Sequence, residues 1–424
     1  MSNTYSLSRE NPVQTISRAW LVCFLAGLFF LYEFIQLSSF DALNEYLQHY
    51  YHINASKLGL LGSAFLWGNV VFLLPAGILL DKIGPRKSIL LSLALAIVGL
   101  GLFAFSSSYE MAFLGRFLTG IGNAFCFIGM VVLISRWFPA NKQAFATGVL
   151  VNMAFLGGMF AHTPLVWLLG KYGFKQIIWG NVAFGLIIWA LIFLFVQDGK
   201  SSTPVISDHA KLSFKQVFLK IFNFQNFGAG FFTSCLNLPI LVLCALWGIQ
   251  YLQVAHHLSM LQASNVVSMI FLGSIFGCPL FGLFSDRMQK RKSLMWLGGL
   301  VSLLVSVPLC VGHTHLSLHS LMTIFFILGF FTSAQVLSYP LLAESNSSQF
   351  AGRACSFASI IIMGGGMVAQ MVFGALLSGQ TKLGEVASPE AFRYAMWMFP
   401  LCIITSLIVL SRMKETYCRN HLEL

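Results

Sequence analysis

Twelve long apolar runs constrain this chain more than any other feature. They lie near residues 19–40, 58–80, 88–106, 111–135, 144–169 and 175–196, then near 227–252, 262–284, 293–311, 317–341, 353–378 and 391–411. Each approaches the ~20 residues that carry a helix across the hydrocarbon core of a bilayer. In lipid the backbone can satisfy itself only as helices or as a closed barrel, and a barrel needs alternating rather than continuous apolar sequence. The predicted fold class is therefore an all-α membrane protein of twelve transmembrane helices. Only 9% of the residues are charged and 57% are hydrophobic, whereas a soluble domain carries about 25% charge. A soluble enzyme, a nucleic-acid module and a disordered chain are excluded.

The longest polar interval, roughly Gln197 to Asn226, divides six runs from six. We expect an N-terminal bundle over residues 1–196, a linker over 197–226, and a second bundle with a short tail over 227–424. The stretch "QDGKSSTPVISDHAK" reads as flexible, and "KLSFKQVFLKIF" has the spacing of an interfacial helix. The run from Ala19 lacks a small-residue cleavage site and reads as a retained helix, not a signal peptide. Nineteen of the 25 Lys and Arg residues fall on the side that holds both termini and the linker, and five on the other. The positive-inside rule puts the termini in the cytoplasm, in a bacterial inner membrane. Eight of the nine cysteines sit inside apolar runs, with no Cys-x-x-Cys pair, and read as packing residues.

The two halves repeat. "PAGILLDKIGPRK" follows the second run and "PLFGLFSDRMQKRK" the eighth, with Asp81 and Asp286 205 positions apart. The pattern Gly77-x3-Asp81-Lys82-x-Gly84-x-Arg86-Lys87 recurs in part as Gly282, Asp286, Arg287 and Arg291. It resembles the loop signature of the major facilitator superfamily. Pro85, and Gln289 in place of a second Gly84, depart from that signature. Arg116-x3-Gly120-x-Gly122 and "RWFPANKQAFATG" from Arg136 are similar to two further segments of the family. The resemblance implies two pseudo-symmetric six-helix bundles, alternating access, and a substrate near the midplane between the halves. It also implies that helices one, four, seven and ten line the cavity. Gly77, Asp81, Gly84, Arg86, Lys87, Arg136, Gly282, Asp286, Arg287, Arg291, Glu344 and Arg353 are then the expected conformational gate.

Charges inside apolar runs are costly and few. Glu33 lies in the first run and Arg116 in the fourth. With the first span ending near Phe40, the two sit at matching depth and are expected to form an ion pair. Gln36 shares a face with Glu33, and Thr119 and Asn123 share one with Arg116. In the second half, Asn237 and Gln250 in span seven and Gln335 and Tyr339 in span ten are the corresponding polar residues. Together with Glu33, Gln36, Arg116 and Asn123 they form the expected substrate and ion site. His162, beside Pro164, reads first as a hydrogen-bonded packing histidine, with a proton relay as the alternative. His313, His315 and His319 read as a solvated loop, and neither a metal site nor a cofactor is expected.

On charge grounds an amino acid is favoured as the solute, with Arg116 meeting its carboxylate and Glu33 its ammonium. "LFFLYEF" and "AES…GRACSF" are loosely similar to nutrient importers of the superfamily, including phagosomal nutrient transporters. An organic-anion or siderophore importer is the alternative, and a drug or metabolite exporter the third reading. Protons are the expected coupling ion, because a buried carboxylate can gain and lose one as its pairing changes. The expected partners are the solute, the coupling ion and the bilayer, with no nucleic acid, and the carrier is expected to be a monomer. No phosphate-binding G-x4-G-K-[ST] loop and no nucleophile–base constellation is present, so an ATPase or other enzyme is not expected.

Overall fold

A computed structural model of the chain describes residues 12–138, 140–199, 221–311, 316–380 and 387–418. Residues 211–220 of the expected interfacial helix, together with His313 and His315, fall outside this description, as does the side chain of Asp81.

Twelve helices among the described residues are long and apolar enough to cross a membrane. They are α1 (Ser17–Tyr51), α2 (Ala55–Leu80), α3 (Pro85–Phe105), α4 (Tyr109–Trp137), α5 (Phe145–Tyr172) and α6 (Phe174–Phe195). The second set is α7 (Phe224–His256), α8 (Met260–Met288), α9 (Lys292–Val311), α10 (Leu318–Ser345), α11 (Gly352–Gly379) and α12 (Pro389–Arg412). Boundaries follow local chemistry. Asn54, Ser108 and Ser388 accept from backbone amides at helix starts, and Ser259 forms a reciprocal capping box with Gln262. Gly84 closes the C-terminal end of the second helix at φ +83°, and Pro85 opens α3 at its first position. Pro85 therefore fits the loop, since a proline at N1 gives up an amide that no helical bond would use. In the second copy Gln289 also has a positive φ, +50°, but sits in the left-handed helical region, whereas Gly84 combines its positive φ with a ψ of 160°.

The main boundary correction concerns α1. Its helix continues eleven residues past Phe40, to Tyr51. The segment "DALNEYLQHYY" has the polarity of an exit into water, yet Asp41 and Asn44 are buried. They are solvated by the other half of the protein.

The two-fold repeat is visible in the packing. In the first half a Cβ on Gly120 would collide with the backbone of Phe65, and one on Gly68 with the backbone of Phe117. In the second half Gly329 meets Ile270 and Gly273 meets Phe326 in the same way. Thus α2 crosses α4, and α8 crosses α10, through matched pairs of glycines that let the backbones touch.

Because the number of spans is even, the start of α1 and the end of α12 lie on one side, here called the basic face. The halves meet along α2–α11 and α5–α8, with α1 against α7. Their cross-half hydrogen bonds cluster at the far face. Asn44 donates to Leu246 O (2.5 Å), Ser56 N to Ser378 Oγ (2.7 Å), and Thr163 to Asn265 (2.7 Å). Beneath them, Leu37, Phe65, Leu66, Leu241 and Ala245 form a buried apolar plug flanked by Met363 and Met367. At the basic face no hydrogen bond joins the halves among the described residues. A Cβ on Gly77, Gly148, Gly282 or Gly352 would meet nothing within 4 Å. Among the described residues, the halves are hydrogen-bonded to each other at the far face and not at the basic one.

Candidate functional site

Arg116 sits two turns into α4, 3% exposed. Its Nη1 donates to the backbone carbonyl of Gln36 at 2.7 Å. The guanidinium lies 3.7 Å from the ring centroid of Phe40 and 5.0 Å from that of Phe65. Those faces offer cation–π attraction worth up to about 2 kcal/mol when desolvated. Nε has no partner.

Glu33 is completely buried, and neither carboxylate oxygen has a hydrogen-bond partner. The expected ion pair is therefore not formed. Glu33 and Arg116 are near enough to act on each other electrostatically, but Arg116 reaches the carbonyl of Gln36, one helical turn farther along α1. Gln36 itself is buried, with its side-chain amide nitrogen unpartnered.

In the second half the site gathers where two helices break. Within α7, Pro239–Trp247 is π-helical, and within α10, Ser333–Leu337 is a 3-10 turn. Prolines explain both: Pro239 has no amide to donate, and Pro340 disrupts acceptance by the carbonyl four residues earlier, Val336. Such irregular turns are frequent at functional sites. Asn237 lies just before the first break and Gln335 within the second, and they are joined by Gln335 Nε2 donating to Asn237 Oδ1 at 3.1 Å. Asn237, Gln335, Tyr339 and, in the first half, Asn123 are all partly exposed, unlike Glu33, Gln36 and Arg116. Gln250 is not with them. It is buried at the far face, where Gln48 donates to it at 3.4 Å. Sequence spacing puts it on the right helix but 13 residues too far along.

The loops at the basic face are built alike in both halves. Arg86 N donates to Asp198 Oδ1 at 2.8 Å, and Arg86 Nη2 to Phe193 O at 2.6 Å. In the second half Arg291 N and Lys292 N donate to the two oxygens of Glu415, each at 2.9 Å. An acidic residue just after the last helix of each half thus caps the third helix of that half, where the helix dipole favours a negative charge. Sequence reasoning misses Asp198 and Glu415 because each lies far along the chain from the loop it caps. Arg291 also binds Asp286 (2.6 Å) and Glu344 (2.7 Å), and Glu344 accepts from Thr416. Glu344 therefore pairs within its own half. Lys82, Lys87, Arg136, Arg287 and Arg353 make no ion pair among the described residues.

Two further buried groups meet at the far face, His162, for which the sequence leaves a proton relay as the alternative to packing, and Asp41, which the sequence does not mark. Asp41 and His162 are each fully buried or nearly so, and His162 Nε2 lies 3.3 Å from Asp41 Oδ2.

The Major Facilitator Superfamily model matches residues 22–369 and 231–416. The probable sulfoacetate transporter SauU of Cupriavidus necator is 23% identical over 349 residues, covering 77% of this chain and 79% of that protein. The probable galactarate/D-glucarate transporter GudP of Bacillus subtilis is 24% identical over 304 residues, covering 64% and 66%. Among solved structures, a bacterial homologue of the human lysosomal transporter Spinster, in an inward-facing and unoccupied conformation, superposes with a TM-score of 0.70. That pair shares 16% identity over 95% of this chain and 96% of the other, a likeness of fold alone.

Proposed function

Because the chain belongs to the major facilitator superfamily, we propose that it is a proton-coupled carrier that imports a small organic anion by alternating access. In this reading it is a monomer in the bacterial inner membrane, with bundles over 1–196 and 227–424 and its linker and termini in the cytoplasm. The far face is then external, and the structure is the inward-open state. The observation that carries the substrate class is Arg116, a cation deep in the bundle with no carboxylate partner and a free Nε. A guanidinium in that setting is suited to a carboxylate or sulfonate. Relatives named for sulfoacetate and for galactarate or glucarate support the same class. This reading replaces the amino acid: Glu33 makes no ion pair, and a carboxyl that holds a proton offers an ammonium no charge.

Glu33 is the proposed coupling group. A fully buried carboxylate without hydrogen bonds from the protein is expensive while ionised, so it is suited to hold a proton in this state. The test is uptake by reconstituted vesicles of labelled sulfoacetate, glucarate and a neutral amino acid under an imposed proton gradient. The gradient should accelerate uptake of an organic anion and not of the amino acid. Glu33→Gln should lose that acceleration while still exchanging substrate, since exchange moves no net proton. Uptake of the amino acid alone would end the anion reading, and a Glu33→Gln protein driven as well as the parent would end the coupling role.

Orientation has its own check. A reporter active only outside the cytoplasm should be silent when fused at Ser202 and active at Gly379. The reverse pattern would place both signature loops outside.

A further inference from the structure

At the far face three helices converge on one buried carboxylate. Asp41 of α1 accepts the backbone amide of Ile249 in α7, at 3.0 Å to Oδ1 and 3.1 Å to Oδ2. Its Oδ2 also lies 3.3 Å from His162 Nε2 on α5, and both side chains are 0% exposed. The Asp41–Ile249 bond joins the two halves directly, at the point where the π-helical stretch of α7 ends.

The hydrogen-bond geometry sets the proton count of this pair. His162 Nδ1 is 2.7 Å from the carbonyl oxygen of Gly158. A carbonyl only accepts, so Nδ1 must carry a hydrogen. In a neutral imidazole Nε2 is then a bare acceptor, facing the acceptor oxygen of Asp41. That contact is attractive only if one more proton lies between them, on Nε2 or on Oδ2. The pair is then neutral overall, as full burial of both side chains favours. Without that proton the closed face would bury a net negative charge and set two acceptors against each other.

The surroundings supply no substitute for the proton. Among the described residues, His162 is the ionisable partner of Asp41 from the helices around it. From α7 the one further titratable neighbour is Cys244. The face presented by α8 is the ring of Phe271, 5.7 Å from the His162 ring centroid. From α1, Asn44 is committed to Leu246 O, and from α5, Thr163 is committed to Asn265.

We infer that Asp41 and His162 form a proton-dependent latch, and that closing the far face takes one proton from the solution on that side. The inference rests on the alternating-access reading and adds to it a second proton-binding site, separate from Glu33. When the face opens, Ile249 leaves with α7 and water reaches the pair. A solvated aspartate is ionised, and a solvated histidine is mostly neutral above about pH 6.5. Closure then binds one proton above that pH and none below it. The closed-to-open ratio should fall up to about tenfold for each pH unit above ~6.5 and level off below it.

The experiment measures the far-face distance between spin labels carried on unnatural amino acids at Lys57 and Gly379, which leaves the native cysteines untouched. These positions flank the Ser56–Ser378 contact between α2 and α11. In lipid nanodiscs titrated from pH 5.5 to 8.5, the short-distance population of the parent should shrink as pH rises above about 6.5. Asp41→Asn reproduces the protonated pair without a titratable proton: its amide donates to Nε2 and its oxygen accepts from Ile249. Above about pH 6.5 it should stay closed with no pH response. His162→Gln should shift the parent equilibrium toward the open distance at neutral pH. Two distance populations whose ratio ignores pH, or an Asp41→Asn protein that keeps the parent's pH slope, would overturn the latch and leave alternating access standing. One fixed distance under every condition would overturn both.

Discussion

Arg116→Gln should weaken equilibrium binding of the transported anion by at least about 30-fold. Removing one partner of a desolvated charge pair costs about 2–5 kcal/mol, and each 1.4 kcal/mol is a factor of ten. Gln can still donate to the carbonyl of Gln36, which Arg116 now holds at 2.7 Å, so the contact between α1 and α4 survives the change. The loss is therefore of charge and of the two-pronged donor. Arg116→Lys keeps the charge but not the fork or the stacking on Phe40, and should fall between the two. Titration of the purified protein with labelled anion reads the difference directly. An affinity within threefold of the parent for Arg116→Gln would mean that the anion is held elsewhere, with Asn237 and Gln335 the next residues to change.

Gly120→Leu should prevent recovery of folded protein. The first atom of any side chain there falls on the backbone of Phe65, 2.7 Å from its carbonyl carbon and 2.9 Å from its Cα. Overpacking a core costs about 1–3 kcal/mol where side chains can yield. Here the obstacle is main chain on a neighbouring helix, so α2 and α4 must separate along their length. Gly329→Leu should behave the same way, because it meets the backbone of Ile270 in the second half. Gly148→Ala is the control, since a Cβ there meets nothing within 4 Å. Size-exclusion profiles after mild detergent extraction decide the matter. A monodisperse Gly120→Leu protein with the parent's elution volume would show that the helices can separate at little cost.

The residues behind these two predictions differ in how legible they are along the chain. Gly120 belongs to the Arg116-x3-Gly120-x-Gly122 segment, and that spacing by itself marks it as a packing glycine. The partner it touches, Phe65, lies on another helix and carries no local mark. Arg116 is conspicuous because a lone cation within an apolar run has few explanations. What surrounds it, an aromatic ring on each of two helices and a backbone carbonyl on one of them, is not a pattern in any window of residues.

The sequence by itself determined the number of helices, the two-fold repeat, and which face carries the positive charge, because each depends on a local property: apolar length, a repeated motif, or the placement of Lys and Arg. The tertiary structure decided everything that depends on which polar groups meet across helices. It lengthened α1 by eleven residues, because Asp41 and Asn44 find partners on α7 where sequence alone assigns them water. It moved Gln250 from the cavity to the far-face closure and replaced the Glu33–Arg116 pair with Arg116 on the carbonyl of Gln36. It also turned His162 from a packing residue into the partner of a buried acid 121 positions away. The physical reason is the same throughout. In a membrane bundle the solvent for a polar side chain is another helix, and the chain does not record locally which helix that is.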